Sequence, residues 1–282
     1  MTQRSFTRVL LYTLIVMIAV VYIAPFVIQV ATSVKTNPDA TSNPLSLWPN
    51  PFSTEAFKTM FGYGDNDYVN FPLWFTNSTV VAVFVTVGRV FFDSLAGYAL
   101  SRLQFVGRRF LFLAVLAVLS VPGVVLLIPK FLVLQYTGLY NTYGGMILPL
   151  IVDAAGIFIM KQFFDTIPYS IEEAARIDGA GVFRTFWSVV LPMTKPALLT
   201  LTILSFQGSW NEFTHMLVAT EGPEHQTLTT GMAGLFSGAV GSAQQFPLKL
   251  AVAMVATIPV AIVFFVFQRR FVAGANAGSV KG

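Results

Sequence analysis

The residues able to do chemistry in this chain are few, and most of them sit in apolar surroundings. Arg89 and Asp93 stand four apart in one apolar run, so a helix puts them on one face, where they neutralise each other as an ion pair. Asp153 lies within another run and has no partner close by in sequence. It reads either as a group lining a polar pathway, accepting a hydroxyl, or as a partner for Arg89 across two helices. Gln207, Ser209, Trp210, Asn211 and Glu212 form a polar-aromatic cluster near the end of a third run. Amides and carboxylates of this kind bond hydroxyls, and a tryptophan face stacks on C–H groups. The same five residues also read as polar glue between helices with a tryptophan at the membrane interface. An ionisable side chain at membrane depth costs at least about 2.5 kcal/mol, so each of these needs a partner or a task.

Other chemistries are missing from the sequence. No Gly-x-x-x-x-Gly-Lys-Ser/Thr run is present to cradle a nucleotide phosphate. His215 and His225 are ten apart, which is not a metal-ligand spacing. Gly179-Ala180-Gly181 is no dinucleotide fingerprint and lacks the strand that should precede one. There is no cysteine, hence no disulfide and no thiolate site. With no nucleophile–base set either, the chain reads as no enzyme by itself, holding no metal and no cofactor of its own.

A second constellation is polar and bounded by breakers. Ile167-Pro168 stops what precedes it, because a residue before proline is driven out of the α region. Ser170 stands three residues before Glu173, the capping-box spacing, and Glu172 and Glu173 place negative charge at the helix's positive end. Ala174, Ala175, Arg176 and Ile177 propagate the helix past Asp178, where Gly179 is suited to a left-handed end. A second helix follows with Val182, Phe183, Phe186, Trp187 and Val190 expected on one face, closed by Pro192 and Pro196. Neither helix is long enough to span a bilayer. Two alanines beside a glutamate leave a low surface with one charged handle, suited to a groove on another protein. An ordinary interfacial loop between spans has the same local chemistry.

What must position these groups is a set of membrane helices. Of 282 residues, 55% are hydrophobic and 11% charged. Soluble domains carry about 25% charged residues, so this is a membrane composition. Six segments, near 9–31, 75–98, 109–130, 143–164, 195–218 and 249–268, reach the length of about 20 residues that a bilayer requires. The uncharged run from 9 to 34 is too long for a signal-peptide core and reads as a retained first span. Pro122-Gly123 and Pro129 interrupt the third segment, which reads either as a kinked helix supported by its neighbours or as a broken one exposing backbone carbonyls to a pathway.

Alternate flanks hold Arg4, Arg8, Arg102, Arg108, Arg109, Lys161, Arg176, Arg184, Lys195, Arg269, Arg270 and Lys281. The others hold Lys35, Lys58, Lys130 and Lys249. Twelve against four predicts both termini and the 166–194 loop in the cytoplasm. The external loop 32–74 is turn-rich, with Trp48-Pro49, Asn50-Pro51 and Gly62-Tyr63-Gly64-Asp65, and Trp48 and Trp74 are expected at the interface. The loop 219–248, with Glu221, Glu224 and His225, is polar, expected to be flexible and suited to touch an external partner.

The pattern Glu173-Ala174-Ala175, Gly179, Val189, Leu191-Pro192 resembles the signature loop of the membrane subunits of bacterial ABC importers. Val189 stands where that family more often has isoleucine. Ile177-Asp178-Gly179-Ala180-Gly181 is similar to the carbohydrate branch, the maltose-type and glycerol-phosphate-type permeases. So are Ala96-Gly97-Tyr98-Ala99-Leu100-Ser101-Arg102, Gly138-Leu139-Tyr140-Asn141-Thr142 and Trp210-Asn211-Glu212-Phe213.

The resemblance implies an all-α membrane protein with the six-helix type I importer permease fold and a cytoplasmic coupling helix–turn–helix over 166–194. It implies a second homologous permease subunit, a cytoplasmic ATPase dimer that binds the ATP and Mg, and an external sugar-binding protein. Glu173, Ala174, Ala175, Asp178, Gly179, Leu191 and Pro192 are then the ATPase-coupling residues. Asp153, Gln207, Trp210, Asn211 and Glu212 are candidates for the substrate pathway, although in the maltose-type importer the sugar site belongs chiefly to the other permease. The expected function is ATP-driven sugar import. The alternatives are a permease for glycerol phosphate or another small solute, and a proton-coupled secondary transporter working through Asp153 or Glu212.

Overall fold

The computed structural model describes residues 3–63, 69–238 and 245–279, with side chains from 8 to 268 within those ranges. Gly64, Asp65 and Lys281, and the side chains of Arg4, Arg269 and Arg270, lie outside the described residues. Every regular element described is helical. The chain divides into two units, one of residues 1–72 and 231–258, the other of 73–230 and 259–282.

In the first unit, α1 (Gln3–Ser33) is apolar and exposed around almost its whole circumference. A helix of that kind has no water-facing side and is built for lipid or another membrane chain. Two short helices follow, α2 (Asn37–Ser42) and α3 (Glu55–Met60). Asp39 organises the turns around them, accepting from the Asn50 N–H at 3.0 Å and the Asn43 amide at 3.2 Å. Those bonds hold its carboxyl below the ordinary carboxylate range. Lys35 is buried and donates from Nζ to the Asn43 carbonyl at 2.7 Å.

The second unit carries the polar groups of interest. α4 (Phe71–Arg102) leads into it and runs the length of a membrane span. α5 (Arg108–Leu119) then breaks, and the chain resumes through a 3₁₀ turn, Gly123–Leu126, into α6 (Leu127–Tyr136) at an angle of 100°. Of the two readings at Pro122, the broken helix is therefore the one found. Pro122 has no N–H and pushes Val121 out of the α region, so the preceding turn closes with Ser120 N–H to Ala117 O and Val121 N–H to Val118 O.

The stretch Tyr143–Asp165 is built in pieces, α7 (Tyr143–Ile147), a 3₁₀ turn and α8 (Ala154–Asp165), with Asp153 at the N-cap of α8. α9 (Tyr169–Ile177) comes next, then α10 (Val182–Arg184), a π turn over Thr185–Val190, α11 (Leu191–Met193) and α12 (Lys195–Trp210). The fifth predicted span, 195–218, is likewise interrupted, since Asn211 ends α12 and the chain restarts as α13 (Thr214–Ala219). α14 (Leu228–Ser237) and α15 (Phe246–Ser279) complete the chain.

Among the described residues four helices are long and apolar enough to cross a membrane. These are Arg8–Ser33, Phe71–Arg102, Tyr143–Asp165 and Phe246–Gln268. Counting the two bent pairs, Arg108–Leu119 with Gly123–Tyr136 and Val182–Met193 with Lys195–Trp210, gives six.

Candidate functional site

The core that positions the polar loop is made of Tyr98 from α4, Met160 and Phe164 from α8, Phe186 and Val190 from the π turn, and Ala197 and Leu201 from α12. Ile167 joins it from the link into α9, and Ile171 and Leu191 pack against it. The Tyr98, Phe164 and Phe186 rings lie 4.9–6.3 Å apart, a spacing at which aromatic pairs attract beyond their buried area.

On this apolar bed rests a buried ion pair that the sequence analysis did not anticipate. Arg102 Nε stands 3.1 Å from Glu172 Oε1, with side-chain exposures of 0% and 3%. Tyr98 donates its hydroxyl to Glu172 Oε2 at 3.2 Å. Arg102 Nη2 also donates to the Phe164 and Ile167 carbonyls, and the guanidinium lies 4.3 Å from the Tyr169 ring centre. A carboxylate removed from water survives only with such partners. The last turn of α4 is thereby tied to the first turn of α9. The signal was present in the four-residue spacing of Tyr98 and Arg102 at the end of an apolar run.

The predicted capping box does not form. α9 begins at Tyr169, with Pro168 at its N-cap and no side-chain cap bond, so Ser170 is already inside the first turn. The helix turns Glu172 and Ala175 inward and leaves Glu173, Ala174, Arg176, Ile177 and Asp178 exposed. Ala175 thus packs inside the chain and is withdrawn from the close-approach surface, because it shares the inward face with Glu172. Gly179 has φ +81° with nothing within 4 Å of a Cβ built on it. Its N–H and that of Ala180 close the helix on the Arg176 and Ala175 carbonyls.

The second helix departs further from expectation. Phe186 and Val190 are buried, whereas Val182, Trp187 and above all Phe183, at 81% exposure, face outward. The π turn is the reason. An α turn ahead of Pro192 would set the proline ring against the carbonyl four residues back, and the wider turn avoids this while rotating the side chains before it. Leu191 lies on the core and Pro192 is exposed. The outcome is an exposed face of α9 with a carboxylate, Glu173, and the apolar Ile177 (86%) one turn on, while Phe183 is exposed on the helix that follows. A polar handle beside a large exposed apolar side chain suits contact with another molecule.

Asp153 caps α8, accepting the Gly156 N–H at 3.2 Å, while its own N–H donates to Asp93 Oδ1 at 3.0 Å. Arg89 Nε donates to the Leu150 carbonyl at 2.7 Å. Neither the Arg89–Asp93 pair nor the Arg89–Asp153 pair forms among the described residues. Both polar groups serve the broken backbone at 148–153, whose carbonyls and N–H groups have no helical partner.

Trp210 is buried, with Phe206 stacked on it at 5.7 Å and Phe75 in an edge-to-face pair at 5.5 Å, so no open ring face is left for a solute. Glu212 Oε1 accepts the His215 N–H at 2.8 Å and caps α13. Gln207 and Asn211 are exposed, with the Asn211 amide turned back to the Gln207 carbonyl at 2.9 Å.

Trp74, expected at the interface, is buried and donates from Nε1 to Gln226 Oε1 at 2.9 Å. Asn77 Nδ2 donates to the Glu224 and Gln226 carbonyls at 2.9 and 2.8 Å. This part of the polar loop 219–248 is thus pinned rather than free, while its residues 239–244 lie outside the described ones.

Residues 94–276 match the family model described as binding-protein-dependent transport system inner membrane component. The chain is 34% identical over 291 residues to the polygalacturonan/rhamnogalacturonan transport system permease protein of Bacillus subtilis, with 97% of each chain covered. It is 36% identical over 209 residues to the arabinooligosaccharides transport system permease protein of Halalkalibacterium halodurans, covering 74% of each. In fold it is similar, with a TM-score of 0.81 at 24% identity, to a chain in the crystal structure of a bacterial ABC transporter involved in the import of the acidic polysaccharide alginate. That similarity covers 96% of this chain and 99% of the other.

Proposed function

The chain belongs to the family of binding-protein-dependent transport system inner membrane components, and we propose that it is a permease subunit importing saccharides. It is a multi-pass protein of the inner membrane and a transporter subunit whose ATPase is a separate chain. Paired with a second homologous permease, it forms half of the translocation pathway. Two cytoplasmic ATPase subunits hold ATP and Mg, and an external sugar-binding protein delivers the cargo. Both termini and the 166–194 loop lie in the cytoplasm, a reading supported by the twelve-to-four distribution of basic residues.

The observation that carries the proposal is the buried Arg102–Glu172 pair beneath an exposed face of Glu173, Ala174 and Ile177. An ATPase gripping that face moves α9. Because Arg102 is the last residue of α4, the displacement passes to a membrane-length helix without slack. Packed interfaces of this sort switch between discrete arrangements and do not deform gradually.

Saccharide cargo is supported by the permeases named above and by the chain's own groups. An anionic cargo calls for cations in the spans, and among the described basic residues Arg89 alone lies well inside one. A proton route calls for free carboxylates, yet Asp153 and Glu212 both cap helices.

The test uses the absence of natural cysteines. A single cysteine at Glu173 or Ile177, in the assembled complex, should cross-link to the nucleotide-hydrolysing subunit, and one at Lys130 should not. Failure of both to cross-link with nucleotide absent, bound and hydrolysed would remove the coupling role.

A further inference from the structure

At the end of α4 that carries the ion pair there is also a basic pocket that neither coupling nor translocation uses. It is a cavity of about 480 Å³ lined by Arg108, Arg109 and Lys161 together with Phe105, Phe110 and Phe112. Arg108 donates to three main-chain carbonyls, Leu100 and Ser101 at 2.7 Å and Leu103 at 3.3 Å. Carbonyls orient a guanidinium and leave its charge uncompensated. Among the described residues neither Arg108 nor Arg109 makes an ion pair. Lys161 lies 4.6 Å from the Phe112 ring centre and shares Asp165 Oδ2 at 2.6 Å. Asp165 also accepts from Ser101 and is paired only with Lys161, so the charges of Arg108 and Arg109 are left uncompensated.

The surroundings indicate what kind of anion this charge meets. The pocket opens where the apolar helix α5 begins, and the loop before it presents Phe105 and a fully exposed Val106, with Phe110 in the first turn 72% exposed. A water-facing phosphate site has no use for such a rim, whereas acyl chains do. Gly107 caps α5 without a side chain, so the positive end of the twelve-residue helix adds to the field at the mouth. Basic pockets between spans at this depth suit phosphorylated lipid headgroups.

We propose that this pocket binds the phosphodiester headgroup of an anionic membrane phospholipid. Arg109 and Lys161 face the phosphate, Arg108 fixes the end of α4 while contributing charge, and the three phenylalanines meet the glycerol and upper chains. The bound lipid would sit against the same last turn of α4 that holds Glu172.

The experiment is native mass spectrometry of the full chain with its partner subunits, released from detergent and titrated with dioleoylphosphatidylglycerol, dioleoylphosphatidylcholine or inorganic phosphate. Saturable binding of the phosphatidylglycerol, stronger than of the phosphatidylcholine, is expected. Arg109→Gln and Lys161→Gln should each weaken it about fivefold, the loss for one basic contact at a membrane surface. Arg184→Gln, an exposed arginine elsewhere on the same face, should leave it unchanged and controls for folding. Equal binding of the zwitterionic lipid, or unaltered binding by both variants, overturns the proposal. Displacement of the lipid by inorganic phosphate at matching concentration overturns it too, in favour of a free-anion site.

Discussion

Arg102 meets Glu172 in a water-free setting, 3.1 Å apart, and in doing so joins the final residue of a membrane-length helix to the first turn of an exposed one. Removing one member leaves the other charged and buried. Arg102→Met and Glu172→Leu should each cost about 3–5 kcal/mol, read as a large fall in the thermal midpoint of the purified chain. The double variant should recover much of that loss, since a buried pair replaced together by apolar groups is close to neutral. Glu173→Gln, one residue on, should leave the midpoint unchanged because its side chain is exposed. Equal effects at Glu172 and Glu173 would contradict the inward placement of Glu172.

Gly179 should tolerate size poorly for a backbone reason rather than a steric one. With φ at +81° and open space around its Cβ position, any L-residue adds about 1–2 kcal/mol of local strain. Gly179→Val is therefore expected to fold and assemble yet alter the angle leaving α9, giving ATP hydrolysis without saccharide uptake in proteoliposomes. Asn should be the best-tolerated replacement. Uptake by the valine variant at the parental rate would count against a fixed angle.

A methyl group at position 156 has no room. A Cβ there would stand 2.1 Å from Asp93 Oδ2 and 2.9 Å from Leu201 Cδ1. Gly156→Ala should lower the yield of folded chain sharply, by several-fold in detergent-solubilised monodisperse protein. Combining it with Asp93→Ala should restore part of the yield despite the lost bond to Asp153 N–H, a positive coupling expected of residues in contact. Additive losses would show that the close approach of α4 and α8 at this point is absent.

Asp39 lies outside the spans and its carboxyl is held below the ordinary range, chiefly by the Asn50 N–H and then by the Asn43 amide. A depressed value means the carboxylate stabilises the loop at pH above the unfolded value of about 3.9, and that contribution disappears as pH falls through the lower folded value. A spin label on a cysteine at Ser46 should be ordered at pH 6 and gain mobility below about pH 4. In Asp39→Ala the label should be mobile at both. A pH-independent label in the parent protein would refute the assignment.

Trp210 offers a contrast between packing and recognition. Stacked on Phe206 and edge-to-face with Phe75, it should cost about 3–5 kcal/mol as alanine and far less as phenylalanine. Trp210→Phe should keep the parental KM for saccharide uptake. A KM raised tenfold with unchanged stability would return this residue to the translocation pathway.

The sequence by itself determined the membrane class, the number of apolar segments and the polar loop that interrupts them. Hydropathy and charge are sums over many residues and need no knowledge of neighbours. The spaced pattern from Glu173 to Pro192 was legible for the same reason, being a matter of residue type and interval. Only the tertiary structure decided which side chains of that pattern look outward. A helix turns about 100° per residue, so starting α9 at Tyr169 instead of after a Ser170 cap exchanges the roles of Glu172 and Glu173. The π turn over Thr185–Val190 changes the rotation per residue again and brings Phe183 to the surface. Arg89, Asp93 and Asp153 were visible as charges needing partners, but the partners are main-chain groups exposed where the fourth apolar segment breaks. Trp74 and Trp210 are of a residue type common at membrane interfaces, but Trp74 meets Gln226 of a distant loop and Trp210 meets Phe75 of α4. Facing depends on register and on neighbours distant in sequence, and those are set only when the chain is folded.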